Sequence, residues 1–272
     1  MSRYNLFLKI SNVVAYILVI AANTVVHVGD SKPDEPVTNS TLISGNWTVP
    51  ETYLLPATYT FGIWGLIHAL LFGFIIYQWF EAAETATVEG VKFYYVTASI
   101  LTVVWLLIWG NSRIRILIDA FVLAAISMNV FKAFDNISTH YPPKDFKDRL
   151  FIHYPFTIYA AWTLIATILN FWAAIPFLNT VFFSTIAIIC LGVVGYDYNK
   201  NHDVVFSATI AWALVGIAVR QQDTLPILIA SSVSSGVILG GILRKWISKT
   251  RAYIELRRTR LRDVGETDPL LP

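Results

Sequence analysis

The sequence predicts an all-α protein, a polytopic membrane helix bundle of about eight transmembrane helices. Composition is the first reason: 56% of the 272 residues are hydrophobic and 14% charged, a balance that excludes an ordinary soluble domain. The second is that the apolar residues fall into separate runs of helix length, not into one dispersed core pattern. The third is the placement of basic residues, which gather before the first run and after the last.

Taken in order, the runs are Ile10–Val28, Tyr59–Phe80, Phe93–Trp109, Ile114–Val130, Phe156–Ala174, Phe177–Tyr196, Val204–Val219 and Leu225–Leu243. The first has no small-residue cleavage site and carries Asn23 and His27 near its end, so it is expected to be a retained span and not a signal peptide. The second, YTFGIWGLIHALLFGFIIYQWF, holds no charge. Its Phe61, Trp64, His68, Phe72, Ile75 and Trp79 recur with helical spacing and are expected on one face. An imidazole at membrane depth needs a partner or a cavity, which singles out His68.

In the third run Trp105 and Trp109 stand one turn apart beside Thr102. The fourth holds Arg115 and Asp119 at i, i+4, a spacing that permits an ion pair within the helix. The fifth follows Pro155, tolerated at a helix start, and places Tyr159, Trp162, Ala166 and Asn170 along one aromatic-to-polar face. The seventh faintly echoes it, Phe206-Ser207 and Ala211-Trp212 matching Phe156-Thr157 and Ala161-Trp162. In the eighth, Ser232, Gly236 and Gly240 are spaced by four, a small-residue face that permits close helix approach, within the chain or in a homodimer.

Positive-inside reasoning takes Arg3 and Lys9 at one end, and Arg244, Lys245, Lys249, Arg251, Arg257, Arg258, Arg260 and Arg262 at the other. It puts both termini in the cytosol and requires an even number of spans. The first loop then lies on the far side, where its sequons at Asn39 and Asn46 are expected glycosylation sites; a third sequon, at Asn136, falls on the cytosolic side. Lys132 to Phe151 is expected to be the longest internal cytosolic loop.

The tail suits anionic membrane lipids better than nucleic acid, because it follows directly from a span. Its end, Glu266-Thr267-Asp268-Pro269-Leu270-Leu271, has the form of an acidic dileucine signal read by cytosolic sorting adaptors. Glu266, Leu270 and Leu271 thus point to an endosomal, lysosomal or vacuolar membrane in preference to a mitochondrial one. Cys190 is the only cysteine, and His27, His68, His140, His153 and His202 show no metal-ligand spacing. No nucleophile–base order or phosphate loop stands out, so no catalytic or metal residues are assigned, and the residues read as binding more readily than as an enzyme.

Three segments carry a family resemblance. PATYTFGIWGLIH (Pro56–His68), LTVVWLLIWG (Leu101–Gly110) and HYPFTIYAAWTLIATILNFW (His153–Trp172) resemble the second, third and fifth helices of the tryptophan-rich sensory protein / translocator protein family, also called the peripheral-type benzodiazepine receptor family. The resemblance covers roughly residues 5 to 175. It implies a translocator-like five-helix membrane core with a lumenal first loop over 1–175, followed by a three-helix membrane extension over 176–246 and a basic cytosolic tail over 247–272.

The resemblance also implies binding of a lipophilic small molecule of the tetrapyrrole or sterol class, with porphyrin or haem as a ligand and not a resident cofactor, and with Trp64, Trp105, Trp162, Ala166 and Asn170 at or near the cavity. Taken with the residue pattern, the expected function is binding, extended to transport, in which Trp64, Trp105, Tyr159 and Trp162 would supply stacking surface and His68 and Asn170 would orient polar groups. The chain departs from the family pattern at Phe61-Gly62-Ile63 before Trp64, and at Thr102 where the family carries an asparagine. The alternatives are a secondary transporter of a small solute, a porphyrin-degrading enzyme, and a non-catalytic membrane assembly protein.

Overall fold

Burial, more than length, ranks the helices in the computed structural model, which describes residues 2–29, 50–109, 112–201 and 203–266. All regular structure among these residues is helical. The long helices are α1 (Arg3–Gly29), α2 (Ile63–Tyr77), α3 (Tyr94–Ile108), α4 (Arg113–His140), α5 (Tyr154–Ala174), α6 (Val181–Asn201), α7 (Val204–Arg220) and α8 (Leu225–Glu266). Six of the eight expected spans are long and apolar enough to cross a membrane unaided. The third does so only together with the Glu81–Val91 segment, from which α3 is bent by 66°. The seventh, α7, is a shorter apolar helix enclosed by its neighbours.

Helix α5 is the axis. Its span is 72% buried, against 22–33% for the five other unaided spans. It packs along α4, against α7 and across from α2, while α1 and α3 complete one side and α6 and α8 the other. The sequence explains the choice: Thr157, Ala160, Ala161 and Thr163 let neighbours approach, and Phe156 and Trp162 fill the intervening space, all six fully or almost fully buried. The Thr163 and Thr167 hydroxyls donate to carbonyls a turn earlier in the helix, and the Thr157 hydroxyl donates to Asp203 at the start of α7 at 3.4 Å.

The start of α1 and the part of α8 around Lys245 lie at one end of the bundle. There the Asn5 amide donates to Glu84 at 2.6 Å, the Tyr77 hydroxyl to Asp148 at 2.8 Å, and Lys245 Nζ to the Lys200 carbonyl at 3.1 Å. At the opposite end, residues 51–57 form a strap. Arg220 pairs with Glu51, the Tyr53 amide donates to Asn179 Oδ1 at 3.0 Å, and Gln221 donates to the Thr52 carbonyl at 2.9 Å.

Several expectations change. Helix α4 runs on to His140, so the Lys132–Phe151 loop shrinks to the segment after Tyr141. Asn136 is helical, its amide donating to the Glu89 and Gly90 carbonyls at 2.9 and 2.7 Å. Lys9 is 1% exposed and lies 3.8 Å from Glu84, so it is a buried partner and not a flanking interfacial charge. Gly236 and Gly240 have open space around their Cα atoms and face outward. Close approach of α6 and α8 instead uses Gly192 and Gly195 against Ser234 and Ile238, and Gly241 against Asn199. The tail does not separate from the last span, because α8 continues unbroken for 42 residues. Asn39, Asn46, Leu270 and Leu271 lie outside the described residues, and Glu266 is the last residue of α8.

Candidate functional site

The start of α2 is positioned from outside its own helix. A 3₁₀ turn (Thr58–Gly62) leads into it, and α7 holds that turn. The Ala57 amide donates to the Gly216 carbonyl at 2.9 Å, Trp212 Nε1 donates to the Thr60 carbonyl at 3.0 Å, and Tyr59 packs edge-on against Trp212 at 5.4 Å. Gly216 is needed here because a Cβ would run into the buried Thr60 side chain. From α1, the Tyr16 hydroxyl donates to the His68 carbonyl at 3.2 Å. Two neighbours thus fix the height and rotation of α2.

With α2 so placed, Trp64 becomes the centre of a ring cluster between α2, α3 and α5. It stacks on His68 at 6.2 Å and 24°, meets Trp105 at 6.2 Å, and meets Tyr159 and Trp162 edge-on at 6.1 and 6.3 Å. Phe61 closes on Trp162 at 5.9 Å, and Trp109 on Trp105 at 4.9 Å. These separations fall in the favourable range for aromatic pairs, each adding about 0.5–1.5 kcal/mol beyond area burial. A second ring group, Phe74, Tyr95 and Phe156, with centroids 5.1–6.0 Å apart, packs further along α2, α3 and α5.

Polar atoms in the cluster divide into two sets. Tyr159 is satisfied: Thr102 donates its one hydroxyl proton to the Ala98 carbonyl at 2.8 Å, so the Tyr159 hydroxyl is the donor in its 3.0 Å bond with Thr102. Three buried nitrogens are not: His68 Nδ1, Trp105 Nε1 and Trp162 Nε1 have no hydrogen-bond partner. Trp172 and Trp212, by contrast, donate to Ser184 Oγ and the Thr60 carbonyl, both at 3.0 Å. An unmade buried hydrogen bond costs about 1–3 kcal/mol, so three such atoms around one set of rings are a costly arrangement in a protein without a ligand.

Of the residues expected from the sequence, Trp64, His68, Trp105, Tyr159 and Trp162 come together. Ala166 and Asn170 continue the same side of α5 along the axis, and the Asn170 amide donates to the Ala166 carbonyl at 2.8 Å, within its own helix. Phe72 and Trp79, expected on the face of Trp64, are 53% and 45% exposed. The buried sector of α2 is centred on Ile67, Leu71 and Phe74, with Trp64 and His68 on its edge. The Arg115–Asp119 ion pair does not form. Arg115 is exposed, while Asp119 is 1% exposed with both carboxylate oxygens unpartnered. Tyr16, Thr60, Trp212 and Gly216 were not singled out as site residues, and only Trp212 left a trace, in the echo between the fifth and seventh runs.

The described residues contain no cluster of histidine, cysteine, aspartate and glutamate able to hold a metal ion. Comparison with curated proteins and with solved structures returned no match. The family comparison did: residues 9–244 match the TSPO-like protein family, a stretch that includes the ring cluster, α6, α7 and the membrane part of α8. With a match over most of its length and an all-helical bundle around the tryptophan-bearing helices, the chain belongs to the TSPO-like protein family, as a divergent branch.

Proposed function

We propose that this membrane protein binds, and moves, a flat lipophilic molecule of the tetrapyrrole or sterol class at the ring cluster between α2, α3 and α5. The observation that carries the reading is the coincidence of aromatic surface with unmet hydrogen-bonding capacity. Trp64 touches four rings, and the indole nitrogens of Trp105 and Trp162 and the imidazole Nδ1 of His68 are buried without partners. Such a site supplies stacking for a ring system and donors for acceptors on its edge. A purely structural aromatic core gains nothing from leaving three nitrogens unpaired.

The test is thermal stabilisation of the purified chain by a panel of tetrapyrroles, sterols and polar metabolites, since a ligand that prefers the native state raises its apparent stability. Protoporphyrin is expected to stabilise the wild type and quench its tryptophan fluorescence. The Trp64→Ala/Trp162→Ala double variant should lose both responses. Equal binding by the two proteins would make the rings core packing and favour an assembly role.

A second reading, ion-coupled transport of a small solute, has one observation of its own: the buried, unpartnered Asp119 within a span. Asp119→Asn would abolish such coupling and leave protoporphyrin binding intact.

For cellular placement, the reading is a glycosylated first loop, cytosolic termini and an endolysosomal or vacuolar membrane, resting on Asn39, Asn46 and the Glu266–Leu271 motif. Changing Leu270 and Leu271 to alanine should shift a tagged protein towards the cell surface. A mitochondrial pattern for both forms would refute that address.

A further inference from the structure

One side of α1 is polar although the helix is long and apolar enough to span a membrane. Asn5, Lys9, Asn12 and Tyr16 follow one another by four, three and four residues, which lines them up over about 17 Å of helix. Lys9 and Asn12 are 1% and 0% exposed, whereas Phe7, Ile10, Val14 and Ile17 on the opposite side are exposed. The stripe meets α2. Asn12 Nδ2 donates to Gln78 Oε1 at 2.9 Å, Gln78 Nε2 to the Lys9 carbonyl at 3.2 Å, and the Tyr16 hydroxyl to the His68 carbonyl at 3.2 Å. Asn12 Oδ1 is buried without a partner, as is Nδ1 of His68, the residue that stacks on Trp64. The stripe thus ends at the ring cluster.

Its other end is covered by the Glu81–Val91 segment, which meets α3 at 66°. The late half of that segment is pinned to the end of α4. Asn136 donates to the Glu89 and Gly90 carbonyls there, and the Tyr141 hydroxyl to Glu89 Oε2 at 3.1 Å. The early half reaches α1 through Glu84, which accepts from the Asn5 amide at 2.6 Å and lies 3.8 Å from Lys9 Nζ. Outside it, Asn5, Glu81, Glu84, Glu89 and Lys144 line a polar pocket of about 650 Å³, walled by α1, the segment and the stretch after α4. Glu84 is 31% exposed and Lys9 is buried. A single carboxylate therefore touches both the pocket and the stripe.

We propose that the α1–α2 seam is the access route from this pocket to the ring cluster, and that Glu84, held on Asn5 and Lys9, is the latch that closes it. What travels rests on the ring-cluster reading; whether the seam opens does not. Ionisable and polar side chains within spans face a bundle interior or a water-filled cavity, and amide and ammonium groups can exchange internal hydrogen bonds for water as a seam widens. A seam of leucines has no such exchange. Helix α1 packs mainly along α3, so it keeps its principal support while it parts from α2. Glu84 swings out into a pocket that already hydrates it, and Lys9 gains water in place of the carboxylate. At the opposite end the strap is tied by another ion pair, Glu51 with Arg220, so the two ends of the bundle can open separately.

The test uses the full chain carrying Cys190→Ser, in phosphatidylcholine nanodiscs, with one introduced cysteine: Asn12→Cys on the stripe, Val14→Cys on the exposed side, or Ala15→Cys, buried beside the stripe. A charged methanethiosulfonate reagent needs an ionised thiol in contact with water, so Asn12→Cys should react roughly tenfold faster than either control. Glu84→Gln should raise that rate roughly fivefold and leave the controls unchanged. Equally slow reaction at all three positions would overturn the route, and an equal gain at all three on Glu84→Gln would overturn the latch by showing general loosening. Glu84→Gln also strips Lys9 of its carboxylate, so a second arm compares one sample with itself. Asn5→Cys/Glu84→Cys, again with Cys190→Ser, is bridged by a short bifunctional methanethiosulfonate and then reduced. The probe is protoporphyrin dimethyl ester, whose uncharged edge Glu81 and Glu89 do not repel, followed by tryptophan quenching. It should associate roughly tenfold more slowly with the bridged form and recover on reduction. Equal association rates in the two forms would overturn the proposal. A reactive, latch-dependent Asn12→Cys together with no quenching by the ester in either form would support the route and refute the ring-site reading instead.

Discussion

Replacing Trp162 by phenylalanine separates a reserved donor from a packed ring. Trp162 is fully buried and its Nε1 has no partner; Trp212 is 40% exposed and its Nε1 donates to the carbonyl of the fully buried Thr60. By burial alone, Trp162→Phe should be the more damaging change. The polar terms reverse that order. The lost volume at Trp162, about 40 Å³, costs about 1 kcal/mol, but the unmet donor goes with it, recovering about 1–3 kcal/mol. Trp212→Phe recovers nothing and removes one bond from the Thr60 carbonyl, which keeps the Ile63 amide, at a cost of about 0.5–1.5 kcal/mol. Thermal unfolding of the purified proteins should therefore find Trp212→Phe less stable than Trp162→Phe. With protoporphyrin the order changes again: Trp162→Phe should bind roughly three- to tenfold more weakly, the value of one neutral hydrogen bond, measured by fluorescence quenching titration. If Trp162→Phe is the less stable protein and binds with wild-type affinity, the free indole nitrogen is not a ligand donor and the proposed site loses its main support.

Gly216→Ala should destabilise the protein by about 1–3 kcal/mol through overpacking against Thr60, and should weaken protoporphyrin binding because the turn that starts α2 must shift. Adding Thr60→Ala should restore most of both, and a double-mutant cycle with no coupling would rule out that contact as the cause. Lys92 has φ 50° and ψ −147° at the bend before α3, a region close to glycine-only. Lys92→Gly should therefore stabilise the fold by about 1 kcal/mol after its entropy cost, seen as a raised unfolding midpoint. Glycosidase treatment of protein from a eukaryotic host should increase gel mobility, Asn39→Gln plus Asn46→Gln should abolish the shift, and a glycan on Asn136 would invert the topology.

The helical class, the apolar runs and the sharing of one helix side by Trp64 and His68, and by Tyr159 and Trp162, were legible in the chain alone, because each depends on a local property: run length, or spacing along one helix. The meeting of those sides with Trp105 was an expectation of the family resemblance, and the tertiary structure decided it. Which sector of a helix turns inward depends on neighbours that periodicity does not see. Phe72 and Trp79 have the spacing of Trp64 yet point outward, because α1 and α5 take up a sector centred on Ile67 and Phe74. Gly236 and Gly240 have the spacing of a packing face yet are open, because α6 supplies its own glycines against Ser234 and Ile238. Arg115 and Asp119 are one turn apart and do not pair, since the buried face of α4 takes the carboxylate and the outer face takes the guanidinium. Lys9 illustrates the same limit for charge: a lysine before an apolar run reads as interfacial, but Glu84, brought back by the bend before α3, lies beside it in the bundle. The contacts that set the height of α2, from Tyr16 in α1 and from Trp212 and Gly216 in α7, join residues 52 to 159 positions apart in the chain. Spacing along one helix carries no information about such contacts, because they are selected by the simultaneous packing of several helices.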